Sequence, residues 1–354
     1  MDEGSKHDVI DVFIIGGGIN GCGIARDAAG RGLRVELSEM NDLASATSSA
    51  STKLVNAGGP WVESIIRKTV RINATEGVRL VRGSHIVTHK LYDHDKCYLF
   101  QGENGRIIFI IPYETDFTLI GTTGVDHVDV NTKPICTPEE QEYLVQFASK
   151  YLKTTITTKH IVRTYSGVRP LYNDGSSSAT AATRDYVLKL DTSTGAPLLN
   201  VFGGKITTYR KLAESALEKI AKFFPGMAKQ WTAGIALPGG NFPVDGAAAI
   251  TKQLQSKYPF LTAQWATRMV KAYGTEAFEV LGDARNEEAL DQKFGATLTA
   301  KEVKWQIQKE YASCAEDVVW RRTKLGLRLT TKEIKFLDLW IGRECTNTFL
   351  VSNV

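Results

Sequence analysis

The chain has 354 residues, 43% of them hydrophobic and 23% charged, with a formal net charge of +4. That length accommodates two or three domains of roughly 100–200 residues each, and the composition excludes a disordered or fibrous chain. A charge this mild gives no case for nucleic acid, and no apolar run reaches the roughly 20 residues that a membrane-spanning helix needs. Cys22, Cys97, Cys136, Cys314 and Cys345 are odd in number and show no C-x-x-C spacing. They argue against a disulfide framework or a zinc site and for a reducing compartment; no metal is expected. The polar start MDEGSKHDVID is no signal peptide, so a cytoplasmic protein is expected, with peripheral membrane attachment left open.

In chain order, residues 9–15 are a short apolar run entering glycines directly, as a buried parallel strand would. Gly16, Gly18 and Gly21 then fit G-x-G-x-x-G; residues 19–29 read as a helix of small residues, ended by Gly30 and Gly32, and residues 33–37 begin a second strand. The first glycine allows the tight turn, the second lets a pyrophosphate approach the backbone, and the third allows close helix–strand packing. The helix N-terminus attracts negative charge. Glu39 stands 18 residues after Gly21, where an acid takes ribose hydroxyls. Glycines alone are a weak signal, but strand, helix, strand and acid in order outweigh a glycine-rich turn without a ligand. They do not separate NAD from FAD. Glu36 and Ser38 interrupt what should be a near-continuous apolar strand, so this strand lies at an edge or packs imperfectly.

Residues 78–114 read as alternating strands separated by polar turns, the character of an antiparallel sheet. Thr137, Pro138, Glu139 and Glu140 open a helix with cap, first-turn proline and favourable charge. Residues 207–224 are predicted to form a long amphipathic helix packed on the nucleotide domain, and residues 237–246 have the proline and glycine density of a linker. Beyond it the chain reads as helical. Thr299 with Glu302, Ser313 with Glu316, and Thr330 with Glu333 have capping-box spacing. Trp305, Trp320, Arg321, Arg322, Lys324 and Arg328 form a basic, aromatic group. A solvated helix face over an ordinary core is the plainer reading of that group, a membrane or subunit contact the sharper one.

The loop DLASATSSASTKL (42–54) follows the acid. With RGSHIV (82–87), LIGTTGVD (119–126), YSGVRPL (165–171), TRDYVL (183–188), VFGGKITTYRKLAE (201–214) and VVWRRTKLGL (318–327), it makes an ordered set. Together these resemble the FAD-dependent glycerol-3-phosphate dehydrogenases and the related glycerophosphate oxidases. The resemblance implies an α/β fold: a Rossmann-like FAD/NAD(P)-binding domain (1–60 with 195–236), an antiparallel-sheet substrate domain (61–194) and a C-terminal helical domain (237–354). It implies oxidation of sn-glycerol 3-phosphate to dihydroxyacetone phosphate by hydride transfer to FAD, with electrons passed to quinone or another acceptor, at a membrane surface and with a homodimer open. Carried over residue by residue, Arg169 and Arg184 match its phosphate-binding pair, and His85 and Lys205 lie near substrate and flavin. Gly203 and Gly204 match its late glycine turn, while Gly16, Gly18, Gly21, Glu39, Ser48, Ser49, Lys205 and Thr207 are expected to hold the cofactor.

The chemistry agrees with those roles. Arginine forks suit a phosphate dianion, histidine suits removal of a hydroxyl proton as hydride leaves, and a lysine can stabilise negative charge on a reduced flavin. Taken singly, such arginines are more often surface ion-pair residues, and such a histidine is more often structural.

The same comparison exposes a join. In the resembling family S-S-A-S-x-K-L continues into H-G-G-L-R-Y, and V-N-A-T-G-P-W comes much later; here SSASTKLVNAGGPW runs on directly through residues 48–61. Roughly 150 residues, about one domain's worth, are missing between them. Gly58 replaces a family threonine, Gly124 an acid and Arg163 a tryptophan. Two readings follow: a shortened but active enzyme, or a folded, catalytically impaired or inactive remnant lacking a complete flavin site. An NAD-linked dehydrogenase is a weaker third.

Overall fold

The computed structural model describes residues 9–45, 48–49, 77–102, 105–129, 131–173, 185–193 and 195–351, with side chains described to residue 346. Arg184, Gly58 and the join lie outside the described residues. The chain divides into two compact units, Met1–Thr232 and Ala233–Val354.

The first unit opens with β1 (Val12–Ile15), α1 (Ile19–Gly30) and β2 (Val35–Ser38), the two strands parallel in the register Val12↔Val35 to Ile15↔Ser38. Alternation sends Val12, Ile14, Val35 and Leu37 towards a core shared with Ile24 and Ala28 of α1. Phe13 (56% exposed) and Ile15 (54%) share the opposite face with their register partners Glu36 and Ser38, which are also exposed. The polar residues in β2 thus have a physical reason: among the described residues this small sheet is packed on one side only.

Beyond residue 76 comes a larger antiparallel sheet. Its strands are β3 (Val78–His89), β4 (Tyr98–Gln101), β5 (Ile107–Tyr113), β6 (Phe117–Gly121), β7 (Val125–Asp126) and β8 (Ile161–Tyr172). The order is β4-β5-β6-β3-β7, with β8 paired along nearly all of β3, from Val78↔Tyr172 to Thr88↔Ile161. Helix α2 (Pro138–Ser149) is capped by Thr137 as expected, and the cap proves to be a full capping box: Glu140 N–H donates to Thr137 Oγ1, and Thr137 N–H to Glu140 Oε2. It covers the face carrying Ile86, Ile108, Ile110 and Ile120, burying Leu144, Val145 and Ala148 against them.

A hairpin of β9 (Tyr186–Asp191) and β10 (Leu198–Gly203) returns the chain to α1. The predicted long helix is α3 (Tyr209–Ile220), followed by a 3-10 turn at Ala221–Phe223. Leu212, Ala213, Ala216 and Leu217 lie one helical turn apart and join Ile24 and Ala28 in one core.

The second unit is mainly helical: α4 (Ala247–Lys257), α5 (Ala263–Tyr273), α6 (Ala277–Leu281), α7 (Ala300–Glu310) and α8 (Thr331–Val351), with the short hairpin β11 (Lys293–Gly295) and β12 (Leu298–Thr299). Two of its three expected capping boxes need correction. Glu302 does not return to Thr299; it accepts a bidentate pair from Arg268 (2.6 and 2.7 Å) and the Tyr273 hydroxyl, because a buried carboxylate gains more from a charged fork than from one N–H. At Ser313 the acceptor is Asp317, which takes the Ser313 N–H and hydroxyl and the Cys314 N–H, while Glu316 faces Arg321. The Thr330–Glu333 box forms as expected.

The basic tail group is largely committed internally. Arg321 pairs with Asp317, Arg322 donates to the Asp317 and Glu310 carbonyls, and Lys324 donates to the carbonyls of Trp320 and Arg321. Among the described residues no helix is long and apolar enough to cross a membrane.

Candidate functional site

Two clusters of predicted residues assemble in the first unit. The first surrounds the N-terminus of α1. Gly16 has φ +109°, and a Cβ on Gly21 would lie 1.9 Å from the Gly16 carbonyl oxygen, so the glycine loop closes tightly on the helix. Gly17 N–H donates to Glu39 Oε2 at 2.7 Å and Asn41 N–H to Oε1 at 3.0 Å, which pins the carboxylate beside the loop. Gly17 must be small: a Cβ there would lie 2.4 Å from Leu43 and 3.0 Å from Glu39. Ser48 Oγ accepts the Ile19 N–H, and Ser49 N–H closes a turn on Ala44.

From the other side comes the Gly203-Gly204 turn, buried and at φ +65° and +92°. Asn20 Nδ2 donates to the Gly203 carbonyl at 3.3 Å, while Asn20 Oδ1 is buried without a partner among the described residues. Lys205 is half-buried, its N–H donating to Thr208 Oγ1; Thr207 is exposed.

The second cluster lies on the sheet face opposite α2. Register places Arg169 beside Val81, Gly167 beside Gly83, and Tyr165 and Gly121 on either side of His85. His85 is 4% exposed and stacks on Tyr165, with ring centroids 4.8 Å apart. A Cβ on Gly121 would lie 2.2 Å from its Cδ2, so the imidazole occupies space that only glycine leaves. Burial, then the Arg169 charge, lowers its pKa to about 3, and His85 Nδ1 has no hydrogen-bond partner among the described residues. Arg169 Nη2 donates to Thr122 Oγ1 at 3.2 Å. A Cβ on Gly83 would meet that Nη2 at 2.9 Å and Thr122 Oγ1 at 2.6 Å. Burial, then Tyr113, raises the Tyr165 pKa, and burial with Glu114 pushes Tyr113 up to about 12.

These two clusters are joined through Tyr172, at the end of β8, which packs on Phe202 of β10 with centroids 5.5 Å apart. Gly121, Gly83, Tyr165 and Thr122 are the residues that sequence reasoning passed over as site residues. All four lie within the quoted motifs, and period-two alternation from His85 and Arg169 marks Gly83 and Tyr165.

A family model described as FAD dependent oxidoreductase matches residues 11–58 and 51–210, and one described as the C-terminal domain of alpha-glycerophosphate oxidase matches residues 230–338. The chain belongs to the FAD-dependent oxidoreductase family. Its match falls in two pieces that meet at residues 51–58, where the sequence shows the join, so an internally shortened form of the family fits.

Among curated relatives, a glycerol-3-phosphate dehydrogenase of Pseudomonas aeruginosa is 41% identical over 292 residues, covering 82% of this chain and 57% of that protein. The aerobic glycerol-3-phosphate dehydrogenase of Escherichia coli is 38% identical over 289 residues, 81% and 58% of the two chains. A D-erythritol 1-phosphate dehydrogenase of Brucella abortus is 38% identical over 280 residues, 79% and 56%. The chain therefore spans little more than half the length of the relatives it matches. In fold it is similar to a Bacillus halodurans glycerol-3-phosphate dehydrogenase solved with FAD, at TM-score 0.73 and 20% identity over 96% of this chain and 94% of that one. That likeness bears out the α/β fold with an antiparallel sheet and a helical C-terminal part.

Proposed function

We propose that the chain binds FAD and oxidises sn-glycerol 3-phosphate to dihydroxyacetone phosphate, with electrons leaving for quinone or another acceptor. The observation that carries this reading is the joint burial of His85 and its contact surface beside Arg169, on the sheet face opposite α2. In this reading residues 1–60 with 195–236 form the cofactor part, residues 61–194 the substrate part and residues 237–354 the helical domain.

The described residues fit the cofactor. Gly18 supplies no side-chain cap and Ser48 takes only the Ile19 N–H, leaving the next N–H groups of the first turn and the positive dipole end for a pyrophosphate. Glu39 has acceptor capacity beyond the two N–H groups it receives, enough for ribose hydroxyls, and the orphaned Asn20 Oδ1 calls for a donor. Gly16, Gly18, Gly21, Glu39, Ser48, Ser49, Gly203, Gly204, Lys205 and Thr207 would hold FAD, which when bound supplies the hydride acceptor.

The rest is done by this chain's side chains. Arg169, assisted by Arg184, binds the phosphate through charge-assisted hydrogen bonds. His85 is neutral across the ordinary pH range, and Nδ1, left without a partner, takes the proton of the hydroxyl being oxidised. A phosphate dianion on Arg169 offsets the charge that depresses the imidazole, so substrate binding itself raises the basicity of His85. Lys205 supplies positive charge at the cofactor end.

A longer polyol phosphate is the second reading. Gly124 stands where the resembling family has an acid, and a Cβ there would meet nothing within 4 Å, which leaves room for another hydroxymethyl group. The erythritol phosphate relative matches this chain nearly as well as the others.

The test begins with the visible spectrum of the purified chain and identification of any released chromophore, followed by dye-linked oxidation of glycerol 3-phosphate and erythritol 1-phosphate. Flavin bands with turnover support the proposal, and the preferred substrate decides between its two forms. A protein that stays colourless after incubation with FAD supports the inactive remnant.

A further inference from the structure

The phosphate-facing surface of the sheet is fixed from its other face. β6 and β7 both pair with β3, along His85–His89 and Val81–Arg82 respectively, and the corner between them, residues 122–124, passes Gly83 and Ser84. In that corner a side chain stands in for the sheet ladder: Ser84 N–H donates to Thr123 Oγ1 at 2.9 Å, and Thr123 N–H reaches the Ser84 carbonyl. The Thr123 hydroxyl proton goes to Glu140 Oε1 at 2.7 Å. Glu140 is 7% exposed, and its other oxygen accepts from Arg82 Nη2 at 3.1 Å and from the Thr137 N–H at 3.0 Å. Burial and the Glu140 charge push the neighbouring Cys136 thiol up to about 11. The adjacent residue, Thr122, presents its hydroxyl to Arg169 on the opposite face.

We infer that Glu140 and Thr123 are positioning residues for Arg169: the carboxylate anchored at the start of α2 clamps the 122–124 corner through Thr123, and the corner holds the guanidinium through Thr122. Neither residue needs to touch the substrate. The arrangement explains why a carboxylate is buried there when an ordinary capping box leaves its glutamate at the surface. The capping contact uses only one Glu140 oxygen, and the other is spent on the corner. Arg82 neutralises the charge, as a buried carboxylate requires. Thr122 and Thr123 are consecutive and their side chains reach groups on opposite faces of the sheet, Arg169 and Glu140, so a shift of the corner moves both contacts together. The inference rests on the reading of Arg169 as the phosphate ligand.

The experiment titrates glycerol 3-phosphate into the full chain by calorimetry, an assay that does not need turnover, with the thermal midpoint of each variant measured alongside. Four variants are compared with the wild type: Arg169→Ala, Thr123→Val, Thr123→Ser and Glu140→Gln. Thr123→Val keeps the branched shape and removes the hydroxyl, so Kd should rise about tenfold, the scale of one well-placed hydrogen bond lost from a charged site. Thr123→Ser restores the hydroxyl and should return Kd to within about twofold of wild type, and Glu140→Gln should fall between them. In any turnover assay the same variants should raise KM more than they lower kcat. A role confined to stability would lower the midpoint of Thr123→Val without moving Kd; that result, or wild-type affinity in Glu140→Gln, overturns the inference. If Thr123→Val does not fold, Glu140→Gln and Thr123→Ser decide it on the same criteria. Binding unchanged in Arg169→Ala, or absent from the wild type, overturns the phosphate reading itself and the positioning role with it, and so is distinguishable from failure of the clamp alone.

Discussion

Gly121 lies directly across from His85 in the β6–β3 register, and a Cβ at Gly121 would come within 2.2 Å of the imidazole Cδ2 and 3.0 Å of Nε2. His85 is held on its other side by the Tyr165 ring, so the imidazole has nowhere to retreat. Gly121→Ala should therefore cost about 1–3 kcal/mol of stability, the usual cost of overpacking a filled interior, and displace His85 from its stack. Gly124→Ala, three residues on, meets open space and should change stability by less than about 0.5 kcal/mol. Urea unfolding of both variants checks the contrast. Equal midpoints would mean that Gly121 does not make room for the histidine.

The depressed pKa of His85 makes a signed prediction for acid stability. The group is neutral in the folded chain down to about pH 3, whereas in the unfolded chain it titrates at its ordinary 6.5. Between those values the unfolded state binds more protons, so stability falls as pH falls through 6.5 and levels off near 3. His85→Asn removes this contribution, and its thermal midpoint should decline less steeply than that of the wild type from pH 6.5 to pH 4. The first cause of the shift is burial and the second is Arg169. A phosphate-bearing ligand should therefore move the His85 titration upwards, which histidine-resolved NMR with and without glycerol 3-phosphate measures.

Much of this was legible in the sequence, for identifiable reasons. The tight turn at Gly16, Gly18 and Gly21 with Glu39 beside it could be read because a glycine loop depends on local backbone geometry, and local geometry is written in consecutive residues. The strands at 78–114 were legible from alternation, and the start of α2 from Thr137 and Pro138. What escaped was nonlocal. Tyr165 is opposite His85 only because β8 pairs with β3 in one register, since a slip of one residue would put it on the other face. Glu302 was assigned to Thr299 because spacing reveals a possible partner, not a better one: the competitor, Arg268, lies 34 residues away in sequence. Glu36 looked like a fault in a buried strand until its partner Phe13 proved to be equally exposed.

At the α1 N-terminus the geometry predicts which glycine matters most. A Cβ on Gly21 would lie 1.9 Å from the Gly16 carbonyl oxygen, a backbone atom that cannot rotate away. A Cβ on Gly18 would meet only Ser48 Oγ, at an ordinary 3.6 Å. Gly21→Ala should abolish flavin retention and lower stability, while Gly18→Ala should fold normally and lose affinity only through crowding of the bound pyrophosphate. Flavin content per chain after gel filtration, with circular dichroism as the fold control, separates them. Full retention of flavin in Gly21→Ala would remove the loop from the cofactor site.

The second unit contains a buried polar group whose removal should be costly. Glu302 is 1% exposed and accepts from both terminal nitrogens of Arg268 and from the Tyr273 hydroxyl, whose pKa burial, and then Glu302, raise well above its ordinary value. Gln306 donates to the same hydroxyl at 2.5 Å, and Arg268 reaches Thr297 as well. Glu302→Ala would leave a guanidinium buried without its counter-charge, which costs about 3–5 kcal/mol in comparable pairs. Glu302→Gln keeps an acceptor for Arg268 and Tyr273 and should cost less. Four of the six tryptophans, Trp265, Trp305, Trp320 and Trp340, belong to this unit, so fluorescence during urea unfolding reports chiefly on its transition. Glu302→Ala should move that transition to lower urea while the far-ultraviolet signal of the first unit keeps its own midpoint. An unchanged fluorescence midpoint would show that the carboxylate contributes no net stability there.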